Sequence, residues 1–450
     1  MREVEGYRVA WVSQWDKALP MIGRALAEAV MRDVIAACDP AARVRAVLGD
    51  PEVAARLSGR RRFAFAVGKA ALEMARGAGE VAAGIAVVPA GAGGELQRGW
   101  RLFEAAHPVP DERSVAAGLA LQAFVQSPQP TDVILALISG GASALAEVPI
   151  GALDELVATI RGVMAAGAAI DEINTVRGAL SAIKSGQLAL SASAPIVTLA
   201  VSDVIGDSLA VIGSGPTIGP WLASPGVAVE AGAAARRVRA RAILERHGVA
   251  VPPVLAAESP PWSVTPSITP LVARSVSSSG ACSDHAAVIA PMSSAAHAAV
   301  QALASRGVAV TLLEAPIAGD VEAVARTLVA HGEAMSFVAW GEPTLRVPAD
   351  HGTGGRAQQL ALVLARWLRG TARSALVVGT DGIDGPPPAD RPAPAGAWVD
   401  GTTWDAIAAT GCDPAAALAA CDAGTALAAA GALIVTGPSG INHADLVIIG

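Results

Sequence analysis

The stretch Pro195-Ile-Val-Thr-Leu-Ala-Val-Ser-Asp-Val-Ile-Gly-Asp-Ser-Leu-Ala-Val-Ile-Gly-Ser-Gly-Pro-Thr217 decides how this chain is read. Ile196 to Val201 is an apolar, partly β-branched run, long enough for a buried strand and too short for a helix, and it stops at Ser202-Asp203. In an open parallel sheet, ligands sit beyond the carboxyl ends of the strands. There Asp203 and Asp207, four residues apart around Gly206, can converge on one point and serve a Mg²⁺ ion or act as a general base. The turn Gly213-Ser214-Gly215-Pro216-Thr217 bares backbone N–H groups, which makes Gly215 and Thr217 candidate ligand contacts. Taken alone, the same residues equally well cap a helix and close a turn.

Outward from this stretch the design recurs. Residues 133–138 read as a third buried strand, followed at once by Ser139-Gly140-Gly141-Ala142-Ser143. Residues 63–67 read as a strand that runs into Gly68-Lys69-Ala70, with Lys69 at a strand-to-helix turn. A second short strand covers 85–88, and beyond it Pro108 and Pro110 enforce an extended loop containing His107, with Asp111 starting the next helix. Helices are expected over 21–38, 153–165 and 228–247. After Gly167 another helix carries Asn174, Arg177, Ser181 and Lys184, which at helical spacing share one face with two cations. Such a stripe is ordinarily a solvated surface; beside these loops it reads as a wall of the site.

From Pro252 onward a proline- and serine-rich stretch reads as a connection, giving an N-terminal domain over 1–250, a linker over 251–284 and a C-terminal domain over 285–450. The latter alternates: helix 294–305, strand 308–313, helix 321–332, strand 335–340, Gly341-Glu342-Pro343-Thr344, strand 345–347. The loop His351-Gly352-Thr353-Gly354-Gly355-Arg356 then opens helix 357–369. Strand 374–378 leads into Gly379-Thr380-Asp381-Gly382-Ile383-Asp384-Gly385-Pro386, and strands 432–435 and 445–449 close the chain. The fold class is α/β: two Rossmann-like domains with mostly parallel sheets.

Composition supports this and narrows the function. With 450 residues the prior is two domains. Hydrophobic types make up 52% and aromatics 3%, which suits an alanine-rich α/β protein and excludes a disordered chain. A net charge of −7 leaves no electrostatic footprint for nucleic acid, so an anionic substrate must find local cations. Cys38, Cys282, Cys412 and Cys421 form no C-x-x-C pair, which indicates neither a zinc site nor a disulfide framework and fits a reducing, cytoplasmic setting. No secretory leader is expected, and the apolar stretch 414–435 is interrupted by Asp422, so no membrane association is expected.

Five loops at strand ends combine glycine with a charged or hydroxyl residue. Phosphoryl transfer needs this inventory: backbone N–H groups and cations for the phosphate, a carboxylate for Mg²⁺, and a base for the attacking hydroxyl. A Walker A motif is absent, because Gly68-Lys69 lacks the preceding spaced glycine and the following Ser/Thr. No intact G-x-G-x-x-G follows a strand, which weakens a nicotinamide-dependent dehydrogenase.

In order, A-V-G-K-A-A (66–71), H-P-V-P-D-E (107–112), L-I-S-G-G-A-S-A-L (137–145), I-N-T-V-R-G-A-L-S-A-I-K-S-G (173–186), V-S-D-V-I-G-D (201–207), S-G-P-T (214–217), G-G-R-A-Q-Q (354–359), G-T-D-G-I-D-G-P (379–386) and T-G-P-S-G-I-N-H-A-D-L (436–446) resemble the glycerate 2-kinase family, also called the MOFRL or class II glycerate kinase family. The resemblance implies an ATP- and Mg²⁺-dependent kinase, with an active-site cleft between its two α/β domains, that phosphorylates D-glycerate, or a related small hydroxy acid, at the 2-hydroxyl. It implies catalytic roles for Lys69, Asp203, Arg356 and Asp381. Candidate substrate or nucleotide contacts are Ser139, Gly140, Gly141, Ser143, Asn174, Arg177, Lys184, Gly215, Thr217, Gly354, Gly355 and Asp384, and candidate metal ligands are Asp203 and Asp207. Assembly as a homo-oligomer is compatible with the sequence. The chain departs from the family pattern at Ala142, Ser185, Ala357, Gln359, Ser439 and Ile441. Two other readings are a hydroxypyruvate reductase and a non-catalytic nucleotide or metabolite sensor, the latter suggested by the altered 354–359 loop.

Overall fold

Six strands lie side by side in the order Trp100–Ala105, Ala83–Pro89, Arg62–Val67, Val133–Ile138, Ile196–Val201, His285–Ala290, and every neighbouring pair is parallel. Numbered along the chain this is 3-2-1-4-5-6, the doubly wound order, and its direction reverses between Arg62–Val67 and Val133–Ile138. These elements come from a computed structural model that describes residues 2–4, 7–9, 22–218, 229–256, 285–332, 335–386 and 392–450.

Burial explains why the central strands read as unbroken apolar runs. Val133–Ile138 and Ile196–Val201 are buried at every position, as expected when helices cover both faces of a parallel sheet. The faces divide by parity. Phe63, Phe65, Ile134 and Ala136 pack with Leu121 and Val125 of helix Glu112–Gln126, while Ala64, Ala66, Leu135 and Leu137 pack with Met74 and Ala75 of helix Ala71–Gly77. Asp111 caps helix Glu112–Gln126 through a capping box with Ser114.

The second sheet corrects the expectation of mostly parallel pairing. Ile317–Asp320 and Thr311–Leu312 pair parallel to Phe337–Thr344, but Asp445–Ile449 inserts antiparallel between Phe337–Thr344 and Ser374–Gly379, and Gly396–Asp400 and Leu433–Ile434 continue antiparallel. A strand buried on both faces carries no record of its neighbour's direction, so the apolar runs could not reveal this. Three short strands, Trp100–Ala105, Ile317–Asp320 and Gly396–Asp400, were not expected, and residues 345–347 are not a strand. Helix Arg356–Leu368 is buried almost all round by Ala357, Leu360, Ala361, Leu364 and their neighbours; it is the central helix of this unit.

The chain divides into two units, one of Cys38–Met292 with Gly440–His443 and one of Met1–Ala37, Ser293–Ser439 and Ala444–Gly450. This differs from contiguous domains over 1–250 and 285–450. Strand His285–Ala290 completes the first sheet beside Ile196–Val201. Helix Arg24–Ala37 packs with helix Ser294–Ala304, its Asp33 paired to Arg306 at 2.6 Å. An amphipathic helix shows which face it buries but not against what, so chain order misassigned it. Most of the expected linker, 257–284, lies outside the described residues; its start forms helix Pro253–Ala256.

Candidate active site

At the reversal point the ends of two adjacent strands are tied together. The Lys69 N–H donates to the Gly140 carbonyl at 2.9 Å, and the Ala70 N–H donates to Ser139 Oγ at 3.1 Å. Gly68 has φ +133°, and a β-carbon there would lie 2.1 Å from Ser139 Oγ, so only glycine lets the two turns meet. Ser139 is fully buried and fixes the turn. A β-carbon on Gly141 would start 3.1 Å from the His107 ring and 3.3 Å from the Lys69 stem. Lys69, His107 and Gly141 are therefore neighbours, drawn from three strand ends.

A fourth strand end, that of Ile196–Val201, brings Asp203 to the same turn. A β-carbon on Gly140 would fall 1.6 Å from Asp203 Oδ2 and 2.1 Å from Asn442 Nδ2, and Asn442 Nδ2 donates to Asp203 Oδ2 at 2.9 Å. Asn442 was not singled out from the sequence. It belongs to the short segment Gly440–His443, which returns to this unit far along the chain. His443 beside it is completely buried, and burial pushes its imidazole down to about 4, against hydrogen bonds with the Ser202 and Pro291 backbone. Asp207 Oδ1 accepts from the Met292 N–H at 2.9 Å, a role the four-residue spacing gave no sign of.

A second group lies along the same glycine loop. Ser143 Oγ is 2.7 Å from Ser214 Oγ, which donates to Asn174 Oδ1 at 3.0 Å. Helix Ile170–Leu180 carries Asn174 and Arg177 one turn apart, but it ends at Leu180, and Ser181 is extended. Lys184 is therefore not on their helical stripe. It is fully buried, donates to the Ala146 carbonyl and stands 3.9 Å from Glu147. Glu147, 2% exposed, also accepts from Ser181 Oγ and from the Val148 N–H. Burial pushes the Lys184 ammonium down, with Glu147 opposing and Arg177 adding to the fall. Gly215 and Thr217 shape the turn. A β-carbon on Gly215 would lie 2.2 Å from the Ile218 carbonyl, and Thr217, buried, accepts from Thr198 Oγ1 at 3.0 Å.

In the other unit the loop Gly352 to Arg356 is held from within. Asp384 accepts from the Ala357 and Gln358 N–H groups at 2.9 and 2.8 Å and from Gln358 Nε2 at 2.9 Å. The helix N-terminus expected to receive an anionic ligand already holds this carboxylate, so Asp384 is a cap. Gly355 is needed there, since a β-carbon would sit 2.4 Å from Asp384 Oδ1, and Gly354, at φ +119°, packs on Gly424. Arg356 grips Asp445 with Nε and Nη2 at 2.7 and 3.0 Å and reaches Glu342 with Nη1 at 3.0 Å. Burial opposes its charge, but Asp445 and Glu342 outweigh that and hold the guanidinium above its ordinary value. Asp381 caps its own turn through the Ile383 N–H at 3.1 Å.

A doubly wound sheet with lysine, aspartate and a glycine turn at its reversal point defines an α/β protein of the ligand-binding class, and the comparisons specify it. Residues 26–250 match the domain of unknown function DUF4147, and residues 335–445 match the MOFRL family. A glycerate 2-kinase of Pyrococcus horikoshii is 30% identical over 86% of this chain and 86% of its own length. A putative hydroxypyruvate reductase of Agrobacterium vitis is 34% identical over 78% of this chain and 77% of its own. The crystal structure of glycerate kinase from Thermotoga maritima superposes with a TM-score of 0.72 at 29% identity, covering 94% of this chain and 98% of that one. The chain belongs to the glycerate 2-kinase family.

Proposed function

We propose that this chain is an ATP-dependent kinase that transfers the terminal phosphoryl group of ATP to the 2-hydroxyl of D-glycerate, giving 2-phosphoglycerate. The observation that carries this is the convergence of Lys69, its N–H bonded to the Gly140 carbonyl and its stem beside Gly141, and of the Asn442-held Asp203 on one glycine turn at the sheet's reversal point. Phosphoryl transfer asks a protein mainly for positioning and for charge placed where negative charge develops. The Lys69 ammonium supplies that charge toward phosphate oxygens, and Gly140 and Gly141, lacking side chains, let them approach the turn. Arg356 and Asp381 keep the roles the family resemblance gives them; Asp445 and Glu342 fix the plane in which Arg356 presents its remaining N–H groups.

The donor set fits Mg²⁺. That ion, on a nucleotide, takes one or two protein carboxylates and fills its remaining positions with water and phosphate oxygens, and Asp203 is such a carboxylate. When bound, the ion neutralises phosphate charge. Asn442 orients the Asp203 carboxylate for it. Among the described residues no group of three His, Cys, Asp or Glu forms a closed metal cage.

The name of the Agrobacterium relative raises the reductase reading. The strand order also occurs in dinucleotide-binding folds, yet the turn after the first strand is Gly68-Lys69-Ala70-Ala71, without the spaced glycines that admit a pyrophosphate. The test is ADP release over a panel of short hydroxy acids, with NADH oxidation by hydroxypyruvate measured alongside. D-glycerate-dependent ADP release supports the kinase; NADH oxidation without it rejects the kinase. No helix among the described residues is long and apolar enough to cross a membrane.

A further inference from the structure

Next to the glycine loop the first unit holds a group of polar side chains whose bonding is incomplete. Asn174 bonds Ser214 with one end of its amide, and its Nδ2 is buried with no hydrogen-bond partner among the described residues. Turning the amide over does not cure this. Ser214 Oγ can donate or accept, so either end of Asn174 can meet it and the other end is then left over. An unmade bond at a buried amide is costly, and native folds keep one chiefly where something else completes it.

One helical turn on, Arg177 is half-buried and makes no hydrogen bond or close ion pair among the described residues. Burial pushes its guanidinium down, and the charge that opposes this is Glu147. Glu147 is already shared: it faces Lys184 at 3.9 Å and accepts from Ser181 and Val148. Two buried or half-buried cations thus stand over one carboxylate. The surplus positive charge is on Arg177, the member of the pair that is not fully buried.

We infer that Arg177 and the free end of the Asn174 amide form the subsite that receives the carboxylate of the short hydroxy-acid substrate. Resting on the kinase reading above, this places acid recognition on helix Ile170–Leu180, joined to the glycine loop through Ser214 and Ser143. A guanidinium matches a carboxylate with two parallel N–H groups, and the amide adds a third bond. Lys184 and Glu147 lie beneath as positioning residues and do not touch the acid. A nucleotide phosphate would satisfy the same charge, so acid and nucleotide must be measured separately.

The experiment is calorimetric titration of the full-length protein with D-glycerate and, separately, with ADP, for wild type, Arg177→Gln, Arg177→Lys and Asn174→Ala. Arg177→Gln should weaken D-glycerate binding by roughly ten- to a hundredfold, the size of a lost charge-assisted bond. Arg177→Lys should recover part of that, and Asn174→Ala should weaken binding less. ADP binding should stay within about twofold throughout, as expected for a contact made only by the acid. Glyceramide, a neutral isostere, should lose far less affinity than D-glycerate in Arg177→Gln, so the preference for the acid collapses; retained ADP binding shows that the variant is folded. Unchanged D-glycerate binding in Arg177→Gln overturns the inference, as does a loss confined to ADP, or a wild-type protein that binds no short hydroxy acid. Binding that follows the expected pattern without any phosphoryl transfer upholds the subsite and removes the kinase reading instead.

Discussion

Asn442 Nδ2 donates to Asp203 Oδ2 at 2.9 Å, joining residues 239 positions apart in the chain. The bond fixes one carboxylate oxygen and leaves the group pointing over Gly140. Asp203→Asn should reduce turnover by about a hundredfold or more, the scale of losing a preorganised charged contact. Asn442→Ala should cost less, about tenfold, and raise the Mg²⁺ concentration at half-maximal rate. A metal titration of the two variants checks both, and an unchanged Mg²⁺ dependence in Asp203→Asn would remove Asp203 from metal binding.

Gly140→Ala and Gly68→Ala should both abolish activity, for different reasons. The first puts a methyl group where Asp203 Oδ2 and Asn442 Nδ2 now sit, at 1.6 and 2.1 Å, so these two side chains must separate while the sheet stays intact. The second adds backbone strain at φ +133° to a clash with buried Ser139, and should lower unfolding stability by about 2 kcal/mol or more. Urea denaturation distinguishes them: a midpoint near wild type is expected for Gly140→Ala and a clear fall for Gly68→Ala.

His443 gives the protein an acid-sensitive point close to the site. Burial holds its folded pKa at about 4, against an ordinary value of 6.5. The unfolded chain therefore binds the extra proton first, and stability present above pH 6.5 is lost as pH falls from there to about 4. The loss amounts to about 3 kcal/mol. Stability measured by urea unfolding across this window should fall in wild type and fall less in His443→Gln. A variant with the wild-type slope would show that other groups carry the acid sensitivity.

Lys184 should act on stability and not on substrate. Lys184→Met leaves Glu147 buried without its nearest cation, which should cost about 3 kcal/mol or more; Lys184→Met combined with Glu147→Leu should regain much of it. Paired urea midpoints and Michaelis constants give the answer. A variant of undiminished stability with a large rise in the KM for the acid would place Lys184 on the substrate after all.

How legible the site was depended on whether a residue's role was local. Lys69, Gly140 and Asp203 follow buried strands directly, so apolar runs ending in glycine or charge marked them, and the parallel sheet brought the three ends together. Asn442 lies beyond the second unit's strands and reaches Asp203 only through the return of Gly440–His443, which no periodicity records. Asp384 and Asp207 look like ligands in sequence because a carboxylate beside glycine serves a backbone cap as readily as a metal; in the fold both accept from backbone N–H groups, those of Ala357, Gln358 and Met292. Lys184 fell off its helical stripe because the helix stops at Leu180, four residues before a pattern count would end it. Strand Trp100–Ala105, at the sheet edge with a partly exposed face, lacks the apolar run that marked the central strands.

In the proposed reaction Lys69, at the sheet's reversal point, serves phosphoryl transfer to a hydroxy acid. The most direct measurement is phosphorus NMR of the full-length protein with ATP, Mg²⁺ and D-glycerate, for wild type and Lys69→Met. A 2-phosphoglycerate resonance should grow as ATP is consumed in wild type and form about a hundredfold or more slowly in the variant. Equal rates in the two proteins, or ATP left intact by wild type in the presence of D-glycerate and every related hydroxy acid, would contradict it.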